Sequence, residues 1–315
     1  MRTRGFDAAP ISNQVEALPM EDWQARTATG ARLRAMRRIR ARAPHDSRDL
    51  LQAVETTRPD ALLVDVLASG ALNAAASRGG PWSCYRPFPL PPFRAGPGLL
   101  GIAAALSTAP LHLYMSAPPF ENRRSDWLAN VVMVGPCEWE PPGDLPPEIA
   151  EARDPLVLVT TSSEFQDDGR LVDVALEAFA GEPVNVVATM PVATAKLEVP
   201  SNASIVRFAP HTPILRRAVC AITHGGMGAT QKALALGVPV CAVPFGRDQV
   251  EVARRVEESE AGTSLPARRL RPDRLRKKFG EAIGRRRGAE KLARAFAAAG
   301  GAKAAADAVE ERLLT

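Results

Sequence analysis

The sequence predicts an α/β fold with parallel sheets in two domains, and three stretches carry that reading. Ala218 to Thr223 is an apolar run of strand length that passes directly into glycines at 225, 226 and 228. Val238 to Pro244 is a second apolar run and delivers Phe245-Gly-Arg-Asp-Gln249 at its carboxyl end. Ala61 to Val66 is a third, followed by the small-residue stretch Leu67-Ala-Ser-Gly-Ala-Leu-Asn-Ala-Ala-Ala-Ser77, which reads as a helix returning the chain before Pro81-Trp82. Strands alternating with helices in this way build parallel sheets. At 315 residues the chain has room for two such domains, each burying its own core.

In chain order, Arg32 to Arg42 is dominated by arginine and alanine, with Leu33, Met36 and Ile39 at helical spacing, and reads as a surface helix. A nucleic-acid-binding arm is the sharper alternative, but no aromatic interleaving accompanies the charge. After the Ala61 unit, His112 alternates with Leu111 and Leu113 as a strand residue would. Asn130-Val-Val-Met-Val-Gly-Pro136 then leads into Cys-Glu-Trp-Glu-Pro-Pro-Gly-Asp-Leu-Pro-Pro147, a proline-rich linker that continues neither helix nor strand. The domain boundary is expected near residue 145, giving an abbreviated amino-terminal domain over 1–145 and a carboxyl-terminal domain over 146–315.

The second half carries the chemistry. After the strand at 218–223, the glycine turn opens a helix from about Ala229 through Leu236, stopped by Gly237 with Pro239 beyond. Free N–H groups and the helix dipole at such a start favour a diphosphate. In open α/β sheets ligands bind at the carboxyl ends of the strands. Asp248 accepts hydrogen bonds and Gln249 both donates and accepts, a pair suited to the hydroxyls of a hexose. Glu290 to Leu314 reads as helical, interrupted at Gly300-Gly301. It either returns to the amino-terminal domain or packs on its own.

From about Leu156 to Gly262 the text resembles the carboxyl-terminal domain of the family 1 glycosyltransferases, GT-B enzymes that include bacterial macrolide and other natural-product glycosyltransferases. Val157-Leu-Val-Thr-Thr-Ser-Ser163 before Glu164-Phe-Gln166, Pro183-Val-Asn-Val-Val-Ala-Thr189, Val206-Arg-Phe-Ala-Pro-His-Thr-Pro-Ile-Leu215 and the His224 and Asp248 segments occur in that family's order and spacing. The resemblance implies two Rossmann-like domains facing a cleft, with the amino-terminal one incomplete here. It implies Ser162 or Ser163 near the donor phosphates, and phosphate contacts from His224, Gly225, Gly226, Gly228, Ala229 and Thr230. Phe208, Ala209, Pro210 and His211 would line the nucleobase pocket, and Asp248 and Gln249 would hold the sugar. The expected activity is transfer of a hexose from a UDP- or TDP-sugar to a hydroxyl of a small apolar acceptor of polyketide, macrolide or glycolipid type.

Departures from the family carry expectations of their own. Met227 and Ala229 stand where relatives often have a polar residue, and Val252 where many have Asn, so altered donor affinity is expected. The family's opening strand and Gly-His loop, whose histidine often deprotonates the acceptor, have no counterpart; Arg4-Gly-Phe-Asp-Ala-Ala-Pro-Ile11 looks like text after the second strand. A second gap is expected between Gly101 and Leu111, where acceptor-binding helices commonly lie. The four histidines are His45, His112, His211 and His224. The last two are spoken for, His45 lies in a polar arginine-rich stretch and reads as surface, and no catalytic base is assigned. A catalytically weak donor-binding homologue, acting as a partner protein or surviving as a decayed gene product, is therefore the second reading. A different doubly wound nucleotide-binding protein is the third.

The four cysteines, Cys84, Cys137, Cys220 and Cys241, lack metal-ligand spacing and read as reduced core residues of a cytoplasmic protein. No metal, no cofactor beyond the donor, no nucleic acid partner and no membrane span are expected. The net charge of +5 is read as solvated helix faces together with a phosphate-ligand site.

Overall fold

The computed structural model describes residues 5–25, 27–89, 106–122, 127–191 and 198–315. Arg4 and the Gly101–Ala105 part of the interval expected to carry acceptor helices lie outside the described residues. Two all-parallel sheets organise the chain. The first has four strands in the order β1-β2-β3-β4: Leu62–Asp65, Trp82–Arg86, Leu111–Tyr114 and Val131–Met133. The second has six: β5 Leu156–Thr160, β6 Asn185–Thr189, β7 Ala203–Val206, β8 Ala218–Thr223, β9 Val240–Ala242 and β10 Gly262–Ser264. Their spatial order is β10-β9-β8-β5-β6-β7.

Burial on both faces explains the continuous apolar runs of the second sheet, because a parallel strand covered by helices above and below has no solvent side. Every residue of β5 and of β9 is buried. One face packs Leu156, Leu158, Ala221 and Val240 against Leu234, Val252 and Leu292. The other packs Val157, Val159, Cys220 and Ile222 against Leu171, Ala175, Leu275 and Phe279. Cys84, Cys220 and Cys241 are buried free thiols, and burial pushes Cys84 up to about 12.

The amino-terminal sheet is covered unevenly. Leu62, Val64, Trp82 and Cys84 form a core with Leu72 and Ala75 of the helix Ser69–Arg78, and Ile39, Leu50 and Val54 of a long helix pack on it. That helix, Ala28–Thr57, extends well beyond the arginine run on both sides and passes through Pro44. Three of its arginines hold the segment before it. Arg38 pairs with Glu21, Arg34 donates to Gln24 Oε1 (3.2 Å), and Arg42 Nε donates to the Leu18 carbonyl (2.9 Å). His45, expected at the surface, is half-buried in this helix, with its Nδ1 enclosed.

The carboxyl terminus divides at the Gly300-Gly301 interruption. The helix Arg286–Ala299 contributes Leu292 and Phe296 to the second sheet's core, whereas Gly301–Leu313 crosses back and packs Ala308 and Leu313 on Leu111, Leu113 and Val134 of the first half. The chain therefore returns to its amino-terminal half, one of the two alternatives left open by the sequence. Among the described residues, no helix is long and apolar enough to cross a membrane.

Side chains from the two halves meet in a buried ion pair. Arg255, in the helix Gln249–Glu258, donates from Nε (3.0 Å) and Nη2 (2.8 Å) to the two oxygens of Glu121, and both side chains are almost fully enclosed. Glu121 also accepts from the Tyr114 hydroxyl and the Asn122 N–H. Breaking such a pair strands a buried charge. Arg255→Ala is expected to destabilise the chain by about 3–5 kcal/mol, whereas replacing both partners with apolar residues of similar volume should recover most of that loss. Urea denaturation midpoints of the single and double variants check this.

Candidate functional site

The strand order of the second sheet reverses at β5. From β5 the chain proceeds through β6 and β7 on one side, then returns to place β8 on the other. The loops leaving β5 and β8 diverge there and create a crevice at the carboxyl edge of the sheet. Because all six strands are parallel, four segments singled out in the second half emerge at this same edge: 161–168 after β5, 207–211 after β7, 224–228 after β8 and 243–248 after β9.

At the switch point, His224 spans the two central strands. Its N–H donates to the Thr160 carbonyl at 3.3 Å, and Nδ1 lies 3.4 Å from the same oxygen. A carbonyl only accepts, so that contact places the proton on Nδ1 and leaves Nε2 as the other ring position. Burial lowers the His224 pKa below its ordinary 6.5. Asp168 and the Thr160 bond oppose the shift, and Arg247 adds to it. The ring lies across Gly226, where a Cβ would fall 2.3 Å from Nε2. Gly225 adopts φ +84° and packs so closely on Gln249 that a Cβ would be 3.1 Å from its carbonyl oxygen. Gly225 therefore needs glycine, and a side chain at 226 would displace the His224 ring.

The helix that follows, Met227–Ala235, starts two residues earlier than the sequence suggests. Its first backbone bond runs from the Thr230 N–H to the Gly226 carbonyl, leaving the N–H groups of Met227, Gly228 and Ala229 ahead of it. Gly228 is exposed, and a Cβ there would meet nothing within 4 Å. Met227 is buried, which accounts for an apolar residue at that position. Thr230 is buried too, with its hydroxyl 3.2 Å from that of Thr223, whose Oγ1 accepts from Gly225 N–H at 3.1 Å. It braces the turn from beneath.

The two serines separate. Ser163 is exposed, whereas Ser162 is buried: its N–H donates to Asp168 Oδ2 (2.6 Å), and its Oγ accepts from Gln166 Nε2 (2.6 Å) and the Glu164 N–H (3.3 Å). Gln249 is likewise engaged. Its Oε1 accepts from the N–H groups of Phe245 (2.8 Å) and Gly246 (3.0 Å), and its Nε2 donates to Gln166 Oε1 (2.7 Å). The amide thus holds the loop that presents Asp248. Asp248 itself is half-buried, and burial raises its pKa, opposed by its own backbone N–H and by Arg247. Among the described residues, no other residue's side chain bonds to that carboxylate.

In the expected nucleobase segment, Phe208 is 57% exposed, while Ala209 and Pro210 are buried. His211 Nε2 lies 3.0 Å from the Thr189 hydroxyl, and burial together with Lys232 brings its pKa down to about 4. Glu140 of the linker accepts from the N–H groups of His211 (2.6 Å) and Thr212 (3.0 Å) and from Lys232 Nζ (2.9 Å). Burial alone would raise its pKa, but these bonds outweigh it and bring it to about 2. On the amino-terminal side, His112 lies inside the sheet with neither ring nitrogen hydrogen-bonded; burial and the nearby Arg86 charge hold its pKa at about 3. Among the described residues, no group of three His, Cys, Asp or Glu side chains is placed to hold a metal ion.

Asp168, Gln166 and Glu140 escaped the sequence reading. Gln166 and Asp168 lie within or just beyond a quoted segment, but nothing local marks them as partners of Gln249 and Ser162. Glu140 sits in a linker whose prolines dominate its pattern.

Residues 175–311 match the family described as erythromycin biosynthesis protein CIII-like, C-terminal domain. The chain is 36% identical over 170 residues to the 4'-demethylrebeccamycin synthase of Lentzea aerocolonigenes, covering 52% of this chain and 40% of that protein. It is 30% identical over 211 residues to the UDP-glucosyltransferase avaP of Aspergillus versicolor, covering 64% and 45% respectively. It thus spans less than half the length of these relatives. The crystal structure of the glycosyltransferase VinC in complex with dTDP superposes with a TM-score of 0.71 at 20% identity, over 98% of this chain and 88% of that one. The fold is therefore GT-B, and residues 175–311 are similar to the erythromycin biosynthesis protein CIII-like C-terminal domain of natural-product glycosyltransferases.

Proposed function

We propose that the chain binds a nucleoside-diphosphate sugar, UDP- or TDP-linked, at the carboxyl edge of the second sheet and transfers its hexose to a hydroxyl of a small apolar acceptor of polyketide, macrolide or glycolipid type. The observation that carries the reading is the pairing of a glycine turn and helix start at the β5–β8 switch point with a half-buried Asp248 on the neighbouring β9 loop, whose carboxylate bonds to no other side chain among the described residues. The first suits a diphosphate and the second suits sugar hydroxyls. Exposed Phe208 offers a face for the nucleobase.

In this reading the acceptor hydroxyl oxygen attacks the anomeric carbon and releases its proton to water, while the bond from that carbon to the phosphate oxygen breaks and the diphosphate leaves from the opposite face of the sugar. Charge grows on the leaving phosphate, where the N–H groups of Met227 to Ala229 and the His224 ring stabilise it. A second reading, a donor-binding partner with weak transfer, draws support from the histidines. His211 and His224 belong to the donor half, and His112 is buried with its basicity suppressed. Release of UDP or TDP from a donor across a panel of acceptor alcohols separates the two: donor binding without acceptor-dependent release supports the partner reading.

Three measurements test the donor site. Asp248→Ala should weaken a nucleotide sugar by roughly tenfold, as for a lost hydrogen bond to a charged group, while leaving the free diphosphate nearly unchanged; equal loss of both in calorimetry counts against the sugar role. Gly228→Ala should keep or raise the melting temperature, since alanine favours a helix by up to ~1 kcal/mol, yet weaken diphosphate binding about tenfold by covering the helix start. Unchanged affinity in the same preparation would place the phosphates elsewhere.

The third concerns His224. Its free pKa is below 6.5, and an adjacent diphosphate raises it in the complex, so the added affinity is complete below the free pKa and fades as pH rises through the bound one. Binding should therefore take up protons on the acid side of neutrality, read as a dependence of the calorimetric enthalpy on buffer ionisation heat. His224→Gln should abolish that dependence.

A further inference from the structure

Arg247 joins three parts of the chain that are distant in sequence. Its Nε donates to Asp22 Oδ2 (3.0 Å) and its Nη2 to Asp22 Oδ1 (2.9 Å), a two-point grip on a carboxylate 225 residues away. Its Nη1 donates to Glu164 Oε2 at 3.0 Å on the loop after β5. Trp23 packs edge-on against Phe165 at 4.8 Å beside it. Asp22 is 5% exposed and belongs to the short helical turn Glu21–Gln24, which Arg38 and Arg34 hold to the long amino-terminal helix. A segment of the amino-terminal half thus spans the loops expected to enclose the donor.

The backbone at Arg247 explains what the grip does. Its φ is +53°, a left-handed conformation that costs a non-glycine residue free energy unless its surroundings hold it. On one side, Gln249 Oε1 fixes the N–H groups of Phe245 and Gly246. On the other comes Asp248, at the start of the helix Gln249–Glu258. The Asp22–Arg247 pair is therefore an independent restraint on the turn that sets the direction of the Asp248 carboxylate.

We propose that Asp22, acting through Arg247, is a positioning residue for sugar recognition: it holds the 245–248 turn so that Asp248 meets the hexose, and it makes donor discrimination depend on the amino-terminal segment seated on the loops. The inference rests on the donor-site reading above. Bidentate geometry suits the role, because two parallel bonds fix the orientation of the guanidinium as well as its distance.

The test is calorimetric titration of the full chain and its variants with UDP, UDP-glucose, TDP and TDP-glucose. Asp22→Asn and Arg247→Gln are each expected to lower affinity for the better-bound sugar conjugate about tenfold, with the matching free diphosphate changed less than about threefold. The double variant should be no worse than either single variant, because the two act as a unit. Asp22→Glu should recover part of the loss, which a generally loosened fold would not. Glu164→Gln, at an exposed position, should give a smaller loss of the same selectivity and keeps the test usable if the Asp22 variants do not fold. An unchanged ratio of conjugate to diphosphate affinity, or additive losses in the double variant, would overturn the positioning role while leaving the donor site standing. A folded wild-type chain that binds none of the four nucleotides would remove the donor-site reading and this inference together.

Discussion

The carboxyl-terminal half depends on a single topological constraint, the reversal of strand order at β5. Neighbouring parallel strands normally send their loops to the same side of the sheet, but β5 and β8 send theirs apart, and the backbone between them must find partners other than the next strand. His224 meets part of that need by bonding through its N–H to the Thr160 carbonyl. The glycines then follow from sterics: a side chain at 225 would strike Gln249, and one at 226 would strike the His224 ring. A helix entered from such a tight turn begins without a side-chain cap, so its first N–H groups remain for a ligand.

The loops around the crevice satisfy one another in a continuous chain of polar contacts. The Ser162 N–H bonds to Asp168, its hydroxyl accepts from Gln166, Gln166 accepts from Gln249, and Gln249 accepts from two backbone N–H groups of the β9 loop. An unmet buried amide costs roughly 1–3 kcal/mol, so these loops resist separate movement. The arrangement divides labour between adjacent residues. Gln249 faces inward and fixes the loop, whereas the Asp248 carboxylate bonds to no other side chain among the described residues. Glu140 does comparable work at the other end by accepting from the first two N–H groups of the His211–Leu215 helix, which holds the Phe208–His211 segment in place.

What could be read from the sequence was what local chemistry determines. β8 matches the apolar run Ala218–Thr223 in full because glycines and charged residues border it sharply. β9 is shorter than Val238–Pro244 because Pro239 and Pro244 have no N–H to contribute to a ladder. The helix after the glycine turn starts early because Met227 has a buried site to fill, a fact of packing rather than propensity. The long helix outruns the arginine segment because Leu50 and Val54 bind it to the first sheet's core. The pairing of Asp22 with Arg247 was not legible, since two charged residues separated by most of the chain leave no periodic trace. Gln249's inward role was equally hidden, because its partners are backbone groups a few residues away and a glutamine from another loop.

The contacts between the halves differ in kind, and the difference matters for transfer. Apolar contacts such as Phe120 on Phe296 supply attraction but tolerate sliding. The buried Glu121–Arg255 pair does not, because a displacement of a few ångströms would leave both charges unpaired in a site that excludes water. The hydrogen bond from Gln231 Nε2 to the Met115 carbonyl (2.7 Å) is still more pointed in its consequence. Gln231 lies one turn beyond Gly228 on the same helix, and Met115 directly follows β3 of the amino-terminal sheet. That helix therefore presents its first turn to the crevice and its second to the opposite half. In the proposed reaction, an acceptor oxygen must reach the anomeric carbon to within about 3–3.5 Å, and an error of 1 Å costs orders of magnitude in rate. Registering the two halves through the helix that would carry the phosphates keeps that tolerance in one rigid element, so any shift of the amino-terminal half is transmitted directly to the glycine turn.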